Sequence, residues 1–267
     1  MTRTAVVTGG GSGIGAATAA RLLADGFDVV VTGRRRDRLE AVAAELGPTC
    51  RAVVMDVTDP ASVADAVAQI GDCDVLVNNA GGALGADRVD SARLEDWRAM
   101  YESNVLGTLA VTQALLPALR RSSGATVVVV TSVAGLVTYE GGGGYVAAKH
   151  AERVLTETLR LEVNGEQVRV VEIAPGMVHT EGFSLTRYQG DQSRADAVYE
   201  GVDRPLVADD VAACISFCVG LPQHVNVDRL VVKPVAQAAP HKVHRGAIPW
   251  GGAAPLEHSD QDGRDEA

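Results

Sequence analysis

Aromatic residues are few in this sequence: three Phe, two Trp and five Tyr, or 4% of 267 residues. Its core must therefore rest on Ala, Val, Leu and Ile, within a hydrophobic fraction of 46%. Cysteine is scarce too. Cys50, Cys73, Cys214 and Cys218 form no C-x-x-C pair, which favours reduced structural thiols over a disulfide framework. The His and Cys residues are scattered without metal-ligand spacing, so no metal site is expected. The longest apolar run falls far short of a membrane span. Positive charge is outweighed, with a net charge of −10. An acidic surface repels nucleic acid and anionic membranes, so neither is expected as a partner. No basic-then-apolar leader precedes the strand that begins at Ala5, and the expected location is the cytoplasm.

Strand and helix patterns alternate along the chain. Apolar runs predict strands at 5–8, 28–32, 51–55, 74–78, 125–131, 168–174 and 228–233. Helical spacing covers 13–25, 36–46, 60–70, 94–121, 145–163 and 209–219, with a break expected near Gly107 and a bend at Pro117. The strands are continuous apolar runs, as in a parallel sheet covered on both faces. The fold class read from this is α/β. A single Rossmann-type, doubly wound, seven-stranded parallel sheet is expected, in strand order 3-2-1-4-5-6-7. Residues 1–239 form the catalytic domain in this reading. A loop or set of small helices at about 177–205 covers the site. The segment 240–267, rich in Pro, Gly, His and Asp, is expected to be a tail without core structure.

Thr8-Gly9-Gly10-Gly11-Ser12-Gly13-Ile14-Gly15 joins the first strand to the first helix. Glycines let the backbone turn sharply and approach a pyrophosphate, and the helix N-terminus supplies free N–H groups. A merely structural turn would look similar in isolation. The surrounding strand and helix favour a dinucleotide.

The pattern T-G-x-x-x-G-I-G resembles the short-chain dehydrogenase/reductase family, in its short single-domain branch. Other motifs agree in order across roughly residues 4–235. They are Asp56-Val57, Asn78-Asn79-Ala80-Gly81, Asn104, Ser132, Tyr145, Lys149 and the turn Pro175-Gly176-Met177-Val178-His179-Thr180. The resemblance implies roles. Gly9, Ser12, Gly13, Ile14 and Gly15 hold phosphates, and Asp56 and Val57 meet the adenine. Asn79, Ala80 and Gly81 support the adenosine side, while Pro175, Gly176, Val178 and Thr180 hold the nicotinamide. Asn104 serves a water relay to Lys149, and Lys149 binds the nicotinamide ribose with Tyr145 beside it. The resemblance also implies a homotetramer, with a dimer as the lesser assembly, packed through the helices around Asn104 and from Tyr145 to Val163.

The end of the second strand reads Val31-Thr32-Gly33-Arg34-Arg35-Arg36. An NAD site wants a carboxylate near Gly33 for the ribose hydroxyls. Here Arg34 and Arg35 stand ready for a 2′-phosphate, which guanidinium groups bind well. This predicts NADP(H), although a solvated basic turn has the same composition. Ser12 departs from the basic residue many NADP members carry in the glycine loop.

Tyr145 and Lys149 lie one helical turn apart on one face. Lowering a phenol by about 3 pH units requires about 4 kcal/mol. A cation about 4 Å away supplies roughly that at an effective dielectric of about 20. Tyr145 is thus the expected general acid/base, with Lys149 its cation. Ser132, at the end of the fifth strand, can polarise a substrate oxygen. Tyr139 is a poorer candidate, because Gly143 rather than a lysine stands four residues on. Each residue also has a plain structural reading: Ser132 as a strand-end cap, Asn104 as a polar group inside a helix, Tyr145 as a core aromatic.

The segment from Glu181 to Asp191 resembles a subgroup acting on 3-hydroxy acids such as serine and on small aldehydes of the clavaldehyde type. Arg187 is a candidate to pair with a substrate carboxylate, or else an ordinary loop arginine. His179 is a candidate pocket residue. The reading is an NADP(H)-dependent alcohol dehydrogenase or carbonyl reductase. Its rivals are a non-catalytic NADP(H)-binding sensor or scaffold, and a lyase or epimerase using the cofactor transiently. Retention of both Tyr145 and Lys149 argues against the sensor.

Overall fold

A computed structural model describes residues 2–250. The chain alternates β1 (Thr4–Thr8), α1 (Gly13–Ala24), β2 (Asp28–Gly33), α2 (Arg36–Leu46), β3 (Cys50–Val54), α3 (Pro60–Ile70) and β4 (Val75–Asn78). α4 (Leu94–Tyr101) runs through a π-helical turn at Glu102–Leu106 into α5 (Gly107–Arg121). β5 (Ala125–Val130), α6 (Gly143–Glu162) and β6 (Val168–Pro175) follow. The rest comprises β7 (Val178–His179), α7 (Phe183–Arg187), α8 (Gln192–Ala197), β8 (Leu206–Val207), α9 (Ala208–Gly220), β9 (Arg229–Val232), β10 (Gln237–Ala239) and β11 (Lys242–Val243).

Seven strands form the central sheet in the order β3-β2-β1-β4-β5-β6-β9. Every neighbouring pair in it is parallel. This is the Rossmann-type doubly wound sheet expected from the continuous apolar runs. Successive strand residues point to opposite faces, so two cores form. Val6, Val30, Leu76 and Val127 meet Leu115 and Leu119 of α5 on one face. Val7, Val29, Val31 and Val77 meet Leu22 of α1, Leu39 of α2 and Ile215 of α9 on the other. Phe27 is the only aromatic among the residues of these two cores, as the composition demanded. The four cysteines are free, and burial raises the thiols of Cys50, Cys73, Cys214 and Cys218. Among the described residues, no helix is long and apolar enough to cross a membrane.

Two local features differ from expectation, the helix at Gly107 and the chain after Pro240. The helix does not break at Gly107. Instead the Asn104 amide takes the Met100 carbonyl at 2.7 Å, competing with the main-chain ladder and leaving a π turn. The segment 177–205 contains two short helices, and beyond them β8 pairs in parallel with β7. The chain after Pro240 turns back as the β10–β11 hairpin. It is then tied by main-chain bonds from His244 to Ala236 and from Gly246 to Gly201, each 2.7 Å. Trp250 docks on its own chain, its indole N–H donating to Asp203 at 2.8 Å. None of residues 240–250 is buried, so polar bonds rather than apolar burial shape this segment. Residues 251–267 of the expected tail lie outside the described residues.

Candidate active site

In an open doubly wound sheet, the crevice opens at the carboxyl ends of the strands, where the strand order reverses. Here that point lies between β1 and β4. A cleft of about 1050 Å³ occupies it, at the upper end of the size of ligand pockets.

The cleft floor is tied together by short hydrogen bonds. The Thr8 hydroxyl accepts from the backbone N–H of Asn79 and of Ala80, each at 2.9 Å. The Asn79 amide donates back to the Thr8 carbonyl at 2.9 Å. These bonds tie the glycine loop to the Asn79-Ala80-Gly81 loop. Gly9 has φ +66°, and a Cβ there would stand 2.9 Å from the Asn79 amide nitrogen. A Cβ at Gly15 would drive into the Gly9 carbonyl oxygen. Ser12 precedes α1 and makes no side-chain cap, leaving the first N–H groups of the helix for an anion. Gly9, Ser12, Gly13 and Ile14 line the cleft, while Gly15 sits buried beneath the turn. The cradle thus fits a group that lies flat on backbone.

At the end of β2, Arg34 and Arg35 are exposed and border the cleft beside Gly33, with Arg38 joining them. Arg36 instead pairs outward with Glu40 at 3.4 Å. Asp56 and Val57 line the same end. Burial would raise the Asp56 carboxyl, but hydrogen bonds from the Thr58 N–H and hydroxyl and the charge of Arg34 hold it below the usual range.

At the other end, Ser132, Tyr145 and Lys149 face the cleft. The Ser132 hydroxyl accepts from the Ala134 N–H at 3.1 Å and donates to the Pro175 carbonyl at 3.4 Å. It caps the turn Val133–Gly135 while staying at the cleft wall. Tyr145 is 8% exposed and meets Phe183 edge-on at 5.7 Å. The Lys149 ammonium stands 5.9 Å from the centre of the Tyr145 ring. It donates to the Val130 carbonyl at 3.1 Å and to Glu152 at 2.6 Å.

Burial and neighbouring charges oppose one another at this pair. Burial pushes the Tyr145 phenol above its ordinary value. Lys149 and Ser132 act to lower it, whereas Tyr139 and Glu152 reinforce the rise. Lys149 stays charged despite burial because Glu152 faces it.

Asn104 is fully buried and not part of the cleft lining. Its amide nitrogen donates to Met100 and to the Gly82 carbonyl at 3.0 Å, and its amide oxygen accepts from the Gly82 N–H at 3.2 Å. It holds the Gly81-Gly82 loop and makes no hydrogen bond to Lys149. Pro175, Gly176, Val178 and Thr180 line the cleft. His179 is exposed outside it, its ring 4.4 Å from that of Tyr199. Arg187 is half-buried at the cleft rim. It donates from Nε to the Gly85 carbonyl at 3.1 Å and from Nη2 to the Gly141 carbonyl at 3.3 Å.

Sequence reading missed Glu152, Arg38 and Gln237, whose side chain accepts from the Met177 N–H at 2.7 Å. Glu152 left a signal: a carboxylate three residues after Lys149, on the buried face of α6. No group of three or more His, Cys, Asp or Glu that could hold a metal occurs among the described residues.

A family model described as short chain dehydrogenase matches residues 3–189. An uncharacterized oxidoreductase of Mycobacterium tuberculosis is 55% identical over 237 residues, covering 89% of this chain and 93% of the relative. A serine 3-dehydrogenase of Agrobacterium fabrum is 41% identical over 242 residues, covering 89% and 96%. Among solved structures, the closed form of a serine dehydrogenase complexed with NADP+ superposes with a TM-score of 0.85 at 35% identity, covering 91% of this chain and 99% of that one. The chain belongs to the short-chain dehydrogenase family and is an oxidoreductase of it.

Proposed function

We propose that the protein is an NADP(H)-dependent dehydrogenase/reductase acting on a small 3-hydroxy acid or the corresponding aldehyde or ketone. The observation that carries this reading is the placement of Tyr145 and Lys149 in one cleft with the glycine cradle at one end and Arg187 at the rim.

Gly9, Ser12, Gly13, Ile14 and Gly15 hold the pyrophosphate in this reading. Asp56, Val57, Asn79, Ala80 and Gly81 flank the adenosine. Arg34 and Arg35 meet the 2′-phosphate, with no carboxylate at the end of β2 to favour the unphosphorylated ribose. Pro175, Gly176, Val178 and Thr180 hold the nicotinamide, with Tyr145 and Lys149 at its ribose. When bound, the nicotinamide supplies or accepts the hydride. Ser132 hydrogen-bonds the substrate oxygen, and Tyr145 gives its phenolic proton to that oxygen in reduction or takes it in oxidation. Asn104 acts by holding the Gly81-Gly82 loop. Arg187, with Nη1 uncommitted, takes a substrate carboxylate. The NADP+ complex and the serine 3-dehydrogenase relative support cofactor and substrate class. His179 is left without a substrate role.

We also read the protein as a cytoplasmic homotetramer. Leu94 is 58% exposed and Leu161 78%, alongside Tyr101, Leu106, Leu109 and Val154 on α4, α5, α6 and the π turn. Such exposed apolar side chains on long helices suit a second copy.

The test is to follow NADPH absorbance with matched aldehydes that carry or lack a carboxylate, and NADP+ with 3-hydroxy acids. NADPH consumption, faster with the carboxylated member, is the expected result. Tight NADPH binding without any turnover would favour the sensor instead. Light scattering that shows a clean monomer would refute the tetramer.

A further inference from the structure

Tyr145, Lys149, Glu152 and Thr156 recur at three- and four-residue spacing, so they share one face of α6. All four are buried, Lys149 at 4% exposure and Glu152 at 1%. A carboxylate at that depth is costly unless it is paired. Glu152 is paired twice. Its Oε2 accepts from the Lys149 ammonium at 2.6 Å, and its Oε1 from the Thr108 hydroxyl of α5 at 3.1 Å. The proton-transfer chemistry described above needs Tyr145 and Lys149 but makes no use of this carboxylate.

Other charges face the pair. From β6, the fully buried Glu172 adds negative potential to both Lys149 and Glu152. It is itself bonded to Arg229 of β9 at 2.6 Å and to the Thr131 hydroxyl at 2.8 Å, so much of its charge is already answered. Tyr139, in the loop before α6, faces Tyr145. The α5 contribution is the neutral Thr108. Glu152 is therefore the anion in direct contact with the ammonium that Tyr145 depends on.

We propose that Glu152 is a positioning residue for proton transfer: it fixes the Lys149 ammonium and masks part of its charge from Tyr145. The inference rests on the reading of Tyr145 as the proton donor. Its consequence is that Tyr145, already held as a phenol by burial, is held more firmly in the form reduction consumes. Ionisation then waits for further positive charge in the cleft, which the oxidised nicotinamide carries when bound. Without Glu152 the unmasked ammonium lowers the phenol in the free protein. Burial already pushes Tyr145 up, and Glu152 adds to that rise.

The experiment is an NMR titration of the free protein labelled with ¹³C at tyrosine Cζ. The Tyr145 resonance is identified by its loss in Tyr145→Phe. In Glu152→Gln, which preserves shape and removes charge, the Tyr145 midpoint is expected to fall by about one pH unit. Glu152→Asp, which keeps the charge, is expected to return most of that shift. Thr108→Val weakens the carboxylate's hold and gives a smaller fall in the same direction. It decides the matter if Glu152→Gln does not fold. An unmoved Tyr145 midpoint in a folded Glu152→Gln, or in Thr108→Val where Glu152→Gln fails to fold, overturns the inference even if turnover persists. A shifted midpoint in a protein that oxidises no alcohol upholds the charge coupling and overturns the functional reading instead.

Discussion

The two walls of the cleft are built differently. The floor hangs on β1, β2, β4 and β5, buried parallel strands whose loops are stitched by Thr8 and Asn79. The roof, from Val178 to Val207 and from Gln237 to Trp250, consists of two-residue strands, short helices and a hairpin. It is held by side chains reaching distant carbonyls, as Arg187 reaches Gly85 and Gly141, and Arg245 reaches Glu200 and Val198. A floor fixed by the sheet suits a cofactor whose shape does not vary. A roof fixed by a few polar clamps can be re-specified by a few substitutions, which suits substrate choice.

That contrast can be broken at graded cost. Tyr145→Phe leaves the floor intact and removes the proton donor. Turnover is expected to fall about a thousandfold, with NADPH affinity by calorimetry unchanged. Gly15→Ala strikes the floor itself, forcing a Cβ into the Gly9 carbonyl. It is expected to weaken NADPH binding about a hundredfold and to cost about 1–3 kcal/mol of stability by thermal melting. Arg187→Ala strikes the roof. Loss of a charged hydrogen bond raises KM for carboxylated substrates about thirtyfold, while uncharged aldehydes change little. Paired Arg34→Ala and Arg35→Ala changes lower the preference for NADPH over NADH about tenfold, read from kcat/KM with each cofactor. Asp203→Asn loosens the clamp on Ile248 and Trp250. It is expected to lower the melting temperature only slightly, because none of these groups is buried.

The same contrast separates what was legible in the sequence. The floor is written in contiguous signals: valine runs, a glycine loop between strand and helix, and Tyr145 four residues from Lys149. Each needs only local spacing to be read. Glu152 was equally local but easily passed over, since a carboxylate on a helix is normally a solvated one. The roof depends on pairings between segments far apart in sequence, such as Arg187 with Gly85 or Gln237 with Met177. No periodicity announces those. His179 stands within the Pro175–Thr180 turn, yet neighbourhood in sequence did not bring it into the cleft. Asn104 sits where the resemblance placed it, but its amide is spent on Met100 and Gly82, which only the fold could reveal. The segment 241–250 looked structureless because it buries nothing, and backbone bonding escaped a reading based on apolar pattern.

The central claim is hydride transfer from NADPH to a small carbonyl in this cleft. Reduction of a carboxylated aldehyde with NADPH deuterated at the transferring C4 position tests it most directly, with the product analysed by mass spectrometry. The account predicts a product alcohol carrying one deuterium at the former carbonyl carbon, and no such product from Tyr145→Phe at the same protein concentration. An unlabelled alcohol, or labelled product formed equally well by Tyr145→Phe, would contradict it.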